Sequence, residues 1–160
     1  MLSILKNKPT NIKVLAPLNG QVLSLEEIPD PAFMFLGQGI GIDPEDGEVF
    51  SPVDGKVTAL FPTNHAIGIT TKEGLEILIH IGVNTIEMNG EGFTAHVKAD
   101  DKVVQGQGLI SFSLEQVKQR ATSPITAVVI TNSDKFRGIE CLTKQVAHKG
   151  NTVIITVKNN

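Results

Sequence analysis

Short apolar runs alternate with glycine, proline, aspartate and asparagine along almost the whole chain. Valine and isoleucine dominate these runs, which favours β-strands over helices. Many short strands with turn signals between them are typical of a β-sandwich or a barrel. The pattern therefore predicts an all-β fold, with strands at residues 13–15, 21–25, 39–42, 56–60, 66–70, 75–81, 108–112, 127–131 and 151–157.

Helical signals are scarce. The best candidate is residues 114–121, where Ser113 can serve as the N-cap and Gln116 follows three residues later. Residues 84–87 and 133–136 are expected to form single helical turns. The fold should therefore contain only a few short helices.

One pattern occurs twice in the chain. Residues 16–22 and 51–57 both have the order small, proline, apolar, Asn or Asp, glycine, polar, valine. Proline followed by Asx-Gly predicts a turn that leads into a strand. We interpret the repeat as two equivalent β-turns rather than as a binding motif.

Two histidines flank one predicted turn. His65 precedes the run 66–70, and His80 interrupts the apolar run 75–81. With a two-residue loop at Lys72-Glu73, the numbers of opposed residues sum to 145, and His65 lies directly opposite His80. Their Cβ atoms would then be roughly 4.5–5.5 Å apart. Two imidazoles this close can share a phosphoryl group or a metal ion.

The hairpin has an alternative register. If Gly74 closes a three-residue loop with a bulge, the sum becomes 146, and the two rings are expected on opposite faces of the sheet. We favour the two-residue loop. In that register Ile67 and Leu78 share the face of the histidines, where they could exclude water or belong to the core.

Composition narrows the function classes. The chain has 160 residues, a formal net charge of −3 and no basic stripe, which argues against nucleic-acid binding. A single cysteine, Cys141, excludes disulfides within the chain and cysteine-based metal clusters. Neither a secretory leader nor an apolar run of membrane-spanning length is recognisable. We expect one cytoplasmic domain over residues 1–160, with an ordered core at about 12–157.

Several motifs, in one order, carry a family resemblance over most of the chain. They are Ser51-Pro52-Val53-Asp54-Gly55, Phe61-Pro62-Thr63-Asn64-His65-Ala66, Ile79-His80-Ile81-Gly82 and Asn89-Gly90-Glu91-Gly92-Phe93. The sequence resembles the glucose-type enzyme IIA domain of the bacterial phosphoenolpyruvate:sugar phosphotransferase system. The resemblance implies a flattened antiparallel β-sandwich. It also implies a phosphotransferase that needs no cofactor and meets the membrane only through a permease.

The resemblance assigns roles to individual residues. It implies that His80 accepts a phosphoryl group from the histidine-containing phosphocarrier protein and passes it to a cysteine of an enzyme IIB domain. His65 would stabilise the phosphoryl group, Thr63 would orient His65, and the Gly82 carbonyl would hold His80. Phe61 would belong to an apolar rim where partners dock.

Two positions depart from the family pattern. Gln38 and Asn84 stand where the family usually has aspartates that border the site and help to receive a basic side chain of the carrier. Both residues are amides here. We therefore expect weaker docking, or docking tuned to a different carrier.

Other functions are also compatible with these residues. A regulatory binding module of the same fold could signal through phosphorylation without sugar transfer. His65 and His80 could bind zinc incidentally, although a zinc enzyme usually needs a third protein ligand. A biotin- or lipoyl-carrier domain is disfavoured because no lysine stands at a suitable hairpin tip. His96 and His148 are expected at the surface.

Overall fold

The computed structural model describes residues 11–158, most of which form antiparallel β-strands. Within this range one α-helix, α1, spans Leu114–Arg120, and 3₁₀ turns span Leu25–Glu27, Pro31–Phe35, Thr85–Met88 and Ser133–Lys135. The strands are β1 (Asn11–Leu15), β2 (Gly20–Ser24), β3 (Gln38–Pro44), β4 (Glu48–Phe50), β5 (Gly55–Leu60), β6 (Ala66–Thr70), β7 (Glu76–His80), β8 (Phe93–Ala95), β9 (Lys102–Val103), β10 (Gly108–Phe112), β11 (Thr126–Ile130), β12 (Gly138–Cys141), β13 (Val146–Ala147) and β14 (Val153–Lys158).

The strands of the described part of the chain form one large sheet and two small ones. The eight-stranded sheet has the order β13-β2-β3-β11-β7-β6-β5-β9, and the three-stranded sheets have the orders β1-β14-β12 and β4-β10-β8. All the recorded pairs are antiparallel, so the predicted all-β class is confirmed. Strand β7 lies inside the large sheet, with β11 on one side and β6 on the other.

The main core lies between the sheets and is built from branched aliphatic side chains. Ile67, Ile69, Ile77 and Ile79 point into it from β6 and β7 and are almost completely buried. A smaller apolar cluster covers the opposite face of β11 and contains Leu25, Ile28, Phe33, Val83, Ala127 and Val129. Alternation along each strand separates these two groups because successive side chains point to opposite faces.

Several local predictions are confirmed. Helix α1 begins after Ser113, whose side chain accepts a hydrogen bond from the backbone N–H of Gln116. The repeated Asx-Gly turns lead into β2 and β5, each of which begins at the glycine. The short strands β4, β8, β9, β12 and β13 are absent from the predicted set, since two to four residues are too few to show a period.

The favoured hairpin register is wrong. Ala66 pairs with His80 and Thr70 with Glu76, so opposed numbers sum to 146, and His65 is not opposite His80. The loop is Lys72-Glu73-Gly74, with a positive φ of 89° at Gly74, a conformation that glycine adopts without steric cost. The Thr71 N–H donates to the Leu75 carbonyl and closes the three-residue loop.

The predicted consequence of this register, rings on opposite faces, is also wrong. His65 lies one residue before β6 and directly after Asn64, which has a positive φ of 58°. The alternation of side chains between the two faces does not extend to His65, because the left-handed Asn64 turns the backbone just before β6 begins. The register does invert one prediction: Ile67 faces the core and is fully buried, whereas Leu78 shares the face of His80. Ile67 therefore does not belong to the rim of the site.

Candidate functional site

His80 is the last residue of β7, and small residues flank it on both sides. Ala66 of β6 and Ala127 of β11 are its cross-strand partners, and both are fully buried. Directly paired residues point to the same face, so neither neighbour carries a side chain that could cover the imidazole. We call this face of the sheet, which carries His80, Leu78 and Ala127, the site face.

The two imidazoles are in contact. The ring centroids of His65 and His80 are 5.1 Å apart, and the ring planes meet at 77°. His65 is 2% exposed and His80 is half-buried. A backbone bond from the Ile81 N–H to the His65 carbonyl, 2.8 Å long, connects the two segments directly. The rings are therefore held by paired backbone rather than by a free loop.

The Gly82 carbonyl fixes the tautomer of His80. His80 Nδ1 lies 2.9 Å from this oxygen. A carbonyl can only accept, so Nδ1 carries the proton. In the neutral ring Nε2 then keeps its lone pair, which is the state required of a nucleophile.

Only glycine fits at position 82. Its φ is +68°, and a Cβ there would lie 2.6 Å from Thr85 Cγ2 and 2.9 Å from the Ser123 carbonyl oxygen. Both distances are too short for a real side chain. The turn after β7 can therefore bring its carbonyl back to His80 because residue 82 has no side chain.

Thr63 holds His65. The Thr63 hydroxyl lies 2.5 Å from His65 Nδ1. With the hydroxyl as donor, Nδ1 accepts and the ring proton is on Nε2. His65 can then offer an N–H to an anionic group, while His80 offers a lone pair.

Both rings are biased towards the neutral form. Burial, and to a smaller extent the neighbouring His80, lowers the pKa of His65 from 6.5 to about 4. Burial also lowers the pKa of His80, although the hydrogen bond to Gly82 and the charge of Asp30 act in the opposite direction. Both imidazoles are expected to be neutral near pH 7.

The buried His65 should make the stability of the fold depend on pH. Its pKa is lower in the folded state than in the unfolded chain, so the unfolded state binds more protons between these two values. The contribution is complete above pH 6.5 and is lost as the pH falls towards 4. We expect the free energy of unfolding to drop by up to about 3 kcal/mol over this interval. Urea unfolding at a series of pH values measures the drop.

Two variants isolate the origin of this pH dependence. His65→Gln removes this buried group and should make the curve shallower, with His80 left to contribute, whereas His148→Gln replaces an exposed histidine and serves as the control. An unaltered slope in His65→Gln would place the titration elsewhere in the chain.

Sequence reasoning missed two neighbours of His80. The Phe33 ring contacts the His80 ring edge-to-face at a centroid distance of 5.0 Å, and Phe33 is 5% exposed. Asp30 caps the 3₁₀ turn Pro31–Phe35 by accepting from the Ala32 N–H, and its charge acts on His80. The available signal was Asp30 between two prolines, which marks a fixed turn but does not reveal what the turn faces.

Apolar side chains lie beside the pair. Phe61 contacts the His65 ring at 5.4 Å between centroids and is 37% exposed. Leu78 is half-buried on the site face. The 3₁₀ turn that contains Phe33 and the residue after it add further exposed apolar side chains, namely Met34, Phe35 and Leu36. A role in partner binding stays a prediction for Phe61 and Leu78.

The two amides lie at different places. Asn84 is exposed in the turn after Gly82 and donates from Nδ2 to the Thr122 hydroxyl. Gln38 begins β3 and is exposed. Gln38 pairs with Ile130, three residues along β11 from Ala127, the cross-strand partner of His80. Their contribution to docking stays a prediction.

The pair alone would make an incomplete metal site. Within residues 11–158, no group of three or more His, Cys, Asp or Glu side chains is arranged to hold a metal ion. Structural zinc takes four ligands and catalytic zinc usually three from the protein. Within the same range, no helix has both the length and the apolar character needed to cross a membrane.

Comparison with known proteins is consistent with this site. The family model described as "phosphoenolpyruvate-dependent sugar phosphotransferase system, EIIA 1" matches residues 12–136. The glucose permease IIA from Mycoplasma capricolum superposes with a TM-score of 0.85 at 36% identity, covering 92% of this chain and 96% of that one. The fold of that protein thus extends over nearly all of this chain.

Curated relatives point to the same family. A glucose-specific EIIA component of the phosphotransferase system from Halalkalibacterium halodurans is 47% identical, covering 94% of this chain and 88% of the relative. A protein of the same name from Bacillus cereus is 47% identical, covering 96% of this chain and 94% of the relative. The chain therefore belongs to the EIIA family of the phosphoenolpyruvate-dependent sugar phosphotransferase system, whose members are phosphoryl carriers with a phosphohistidine intermediate.

Proposed function

We propose that His80 is the phosphoryl acceptor of this carrier. The observation that carries the proposal is the bond from His80 Nδ1 to the Gly82 carbonyl, which leaves Nε2 as the nucleophilic nitrogen. An N–P bond forms at Nε2 as the N–P bond of a phosphohistidine on the donor breaks. The donor is the histidine-containing phosphocarrier protein, and the next acceptor is a cysteine of an enzyme IIB domain.

His65 assists the transfer in this proposal. Its Nε2–H can donate to a phosphoryl oxygen while Thr63 holds the opposite side of the ring. A fixed donor aimed at developing charge stabilises a phosphoryl-transfer transition state, since such reactions depend mainly on positioning and electrostatics. No cofactor is required for this step, and a zinc ion shared by the two imidazoles would be incidental.

The apolar surround supports partner docking at this place. Phe61 and Leu78 lie next to the pair, and a partner that covers them would exclude water from the reacting atoms. The proposed setting is the cytoplasm, with contact to the membrane only through the permease. The two curated relatives are named glucose-specific, so a glucose-type IIB domain is the first acceptor to test.

The test is a reconstituted phosphoryl relay. The chain is incubated with phosphoenolpyruvate, enzyme I and the phosphocarrier, and its mass is followed before and after addition of a IIB domain. One acid-labile phosphate should appear and then move to the IIB cysteine. Absence of phosphate would contradict the proposal, and phosphate that never leaves would favour a regulatory module.

Docking of the donor should respond to charge at the two amide positions. Asn84→Asp should speed phosphorylation by a common phosphocarrier, because an exposed carboxylate beside the site attracts a basic side chain and mainly raises the association rate. Gln38→Asp should have a smaller effect, since Gln38 pairs with Ile130, three residues along β11 from the partner of His80. Reactions stopped at a series of times, at low and at high salt, give the phosphorylation rates of the two variants. Their increase over the wild-type rate should be smaller at high salt.

Asn84→Ser is the matched control, because it adds no charge at the same position. Equal rates for Asn84→Asp and Asn84→Ser would contradict the electrostatic explanation.

A further inference from the structure

The turn after β7 is fixed on both sides of Gly82. The Gly82 carbonyl and the Val83 N–H belong to one peptide unit, and in a trans peptide they point in opposite directions. The carbonyl accepts from His80 Nδ1 at 2.9 Å, and the Val83 N–H donates to the Ser123 carbonyl at 2.8 Å. By binding the N–H side of this peptide unit, the Ser123 carbonyl therefore fixes the direction of the Gly82 oxygen that faces His80.

Thr85 fixes the preceding peptide unit. Its hydroxyl donates to the Ile81 carbonyl at 2.5 Å, and the residue is fully buried. Its methyl group packs closely against Gly82, because a Cβ on Gly82 would lie only 2.6 Å from Thr85 Cγ2. The Ile81 N–H in turn donates to the His65 carbonyl. Thr85 thus binds the carbonyl of Ile81, and the N–H of the same residue is bonded to His65.

From these contacts we propose that Thr85 is a positioning residue for phosphoryl transfer, which sets the ring tautomer of His80 through the peptide units at Ile81 and Gly82. The proposal rests on the function proposed above, in which His80 Nε2 is the nucleophile. The hydroxyl of Thr85 is bonded to the Ile81 carbonyl and not to the imidazole. Its hydroxyl and methyl group fix the backbone at Ile81 and Gly82, and the Gly82 carbonyl in turn fixes the His80 ring.

The segment after helix α1 is the support of this arrangement. Thr122 and Ser123 follow Ala121, the C-cap of the helix, and Val83 and Ser123 form an antiparallel bridge. The Thr122 N–H donates to the Val83 carbonyl at 3.1 Å, and Asn84 Nδ2 donates to the Thr122 hydroxyl at 2.6 Å. Residues 81–85 are thus tied to a second segment, which explains why a turn with left-handed residues at Gly82 and Asn84 keeps one conformation.

The tautomer matters because the wrong one removes the nucleophile. In free histidine the proton prefers Nε2, and that form has no lone pair available at the nitrogen that must attack. The Gly82 carbonyl reverses this preference only if it stays aimed at Nδ1. A small rotation of the peptide would weaken the bond, since hydrogen bonds lose strength steeply as their angle closes.

The decisive variant is Thr85→Val, which removes the hydroxyl and keeps the shape. Nitrogen NMR of the imidazoles in the unphosphorylated protein should show that part of the His80 proton has moved from Nδ1 to Nε2. The phosphorylation rate at saturating phosphocarrier should fall roughly tenfold, as expected for one lost hydrogen bond. The KM for the phosphocarrier should stay unchanged, because Thr85 is buried beneath the docking surface.

Two further variants separate the hydroxyl from general damage. Thr85→Ser keeps the donor and should restore the His80 tautomer and most of the rate. Thr71→Val removes a buried threonine hydroxyl at the other end of the β6–β7 hairpin, where it accepts from the Leu75 N–H, and should alter neither readout. If Thr85→Val does not fold, Thr85→Ala removes the same donor without placing a methyl group against the Ile81 carbonyl.

The outcomes distinguish this inference from the proposed function. A fully Nδ1-protonated His80 and an unchanged rate in a folded Thr85→Val protein would overturn the positioning role. A tautomer shift in that variant shows that Thr85 sets the position of the ring proton even if the wild-type chain accepts no phosphate, a result that would overturn the proposed function alone. A lower phosphorylation rate with an unchanged His80 tautomer would also overturn the positioning role of Thr85.

Discussion

Replacing His80 by alanine should lower the rate of phosphoryl uptake at least about 10³-fold. His80 is the imidazole whose Nδ1 is tied to a carbonyl and whose neighbours on both strands are alanines. His65 is not expected to take its place, because with the Thr63 hydroxyl donating to its Nδ1 the ring proton is on Nε2, which then has no lone pair for attack. Mass spectrometry after incubation with phosphoenolpyruvate, enzyme I and the phosphocarrier should show no added phosphate.

The controls are the two exposed histidines. His96→Ala and His148→Ala remove imidazoles outside the contacting pair, and both variants should take up phosphate at the wild-type rate. His80→Gln tests whether any polar group of similar size suffices, and it should also stay unphosphorylated. Acid-labile phosphate on His80→Ala would show that the nucleophile lies elsewhere and would remove the basis of the mechanism.

Replacing His65 by glutamine should leave uptake largely intact and slow delivery to the IIB cysteine by roughly 10²–10³-fold, the usual cost of losing a fixed donor at developing charge. The two steps differ in the charge of the attacking group. His80 attacks as a neutral ring, whereas a cysteine attacks as a thiolate. The second step brings two negative groups together, so it depends more on the N–H that His65 directs at the phosphoryl oxygens.

Single-turnover transfer from the purified phosphoprotein measures this second step alone. Thr63→Val provides a graded comparison: it keeps the imidazole but removes the hydroxyl at Nδ1, so its loss should be smaller. Delivery at the wild-type rate in His65→Gln would contradict the assigned role. Loss of uptake in that variant would show instead that His65 is needed for the first step.

The strand pattern made much of the fold predictable. Alternating Val and Ile between Gly, Pro and Asx turns gave the all-β class, and the capping signal at Ser113 located helix α1. The pairing order of the sheet depends on contacts between distant segments, which no local pattern encodes. Strands β7 and β11, for example, are neighbours although 45 residues separate their last and first residues, His80 and Thr126.

The contact between the two histidine rings was predicted from the sequence, although from the wrong register. The choice between a two-residue and a three-residue loop depended on Gly74, and both registers are compatible with the same residues. The rings meet because His65 stands outside β6 after a left-handed Asn64, a feature that a period of two cannot describe. Asp30 and Phe33 reach His80 from a segment 47–50 residues earlier, so their role needed the three-dimensional structure.

The surroundings of His80 have a consequence for the order of events in the relay. Phe33 contacts one edge of the ring, Ala66 and Ala127 flank its backbone, and His65 lies against it. A partner must reach His80 Nε2 from the side that these groups leave uncovered, so under the proposed function donor and recipient bind at the same place in turn. The two partners cannot bind there at the same time, so an excess of unphosphorylated donor would compete with the acceptor and slow sugar uptake.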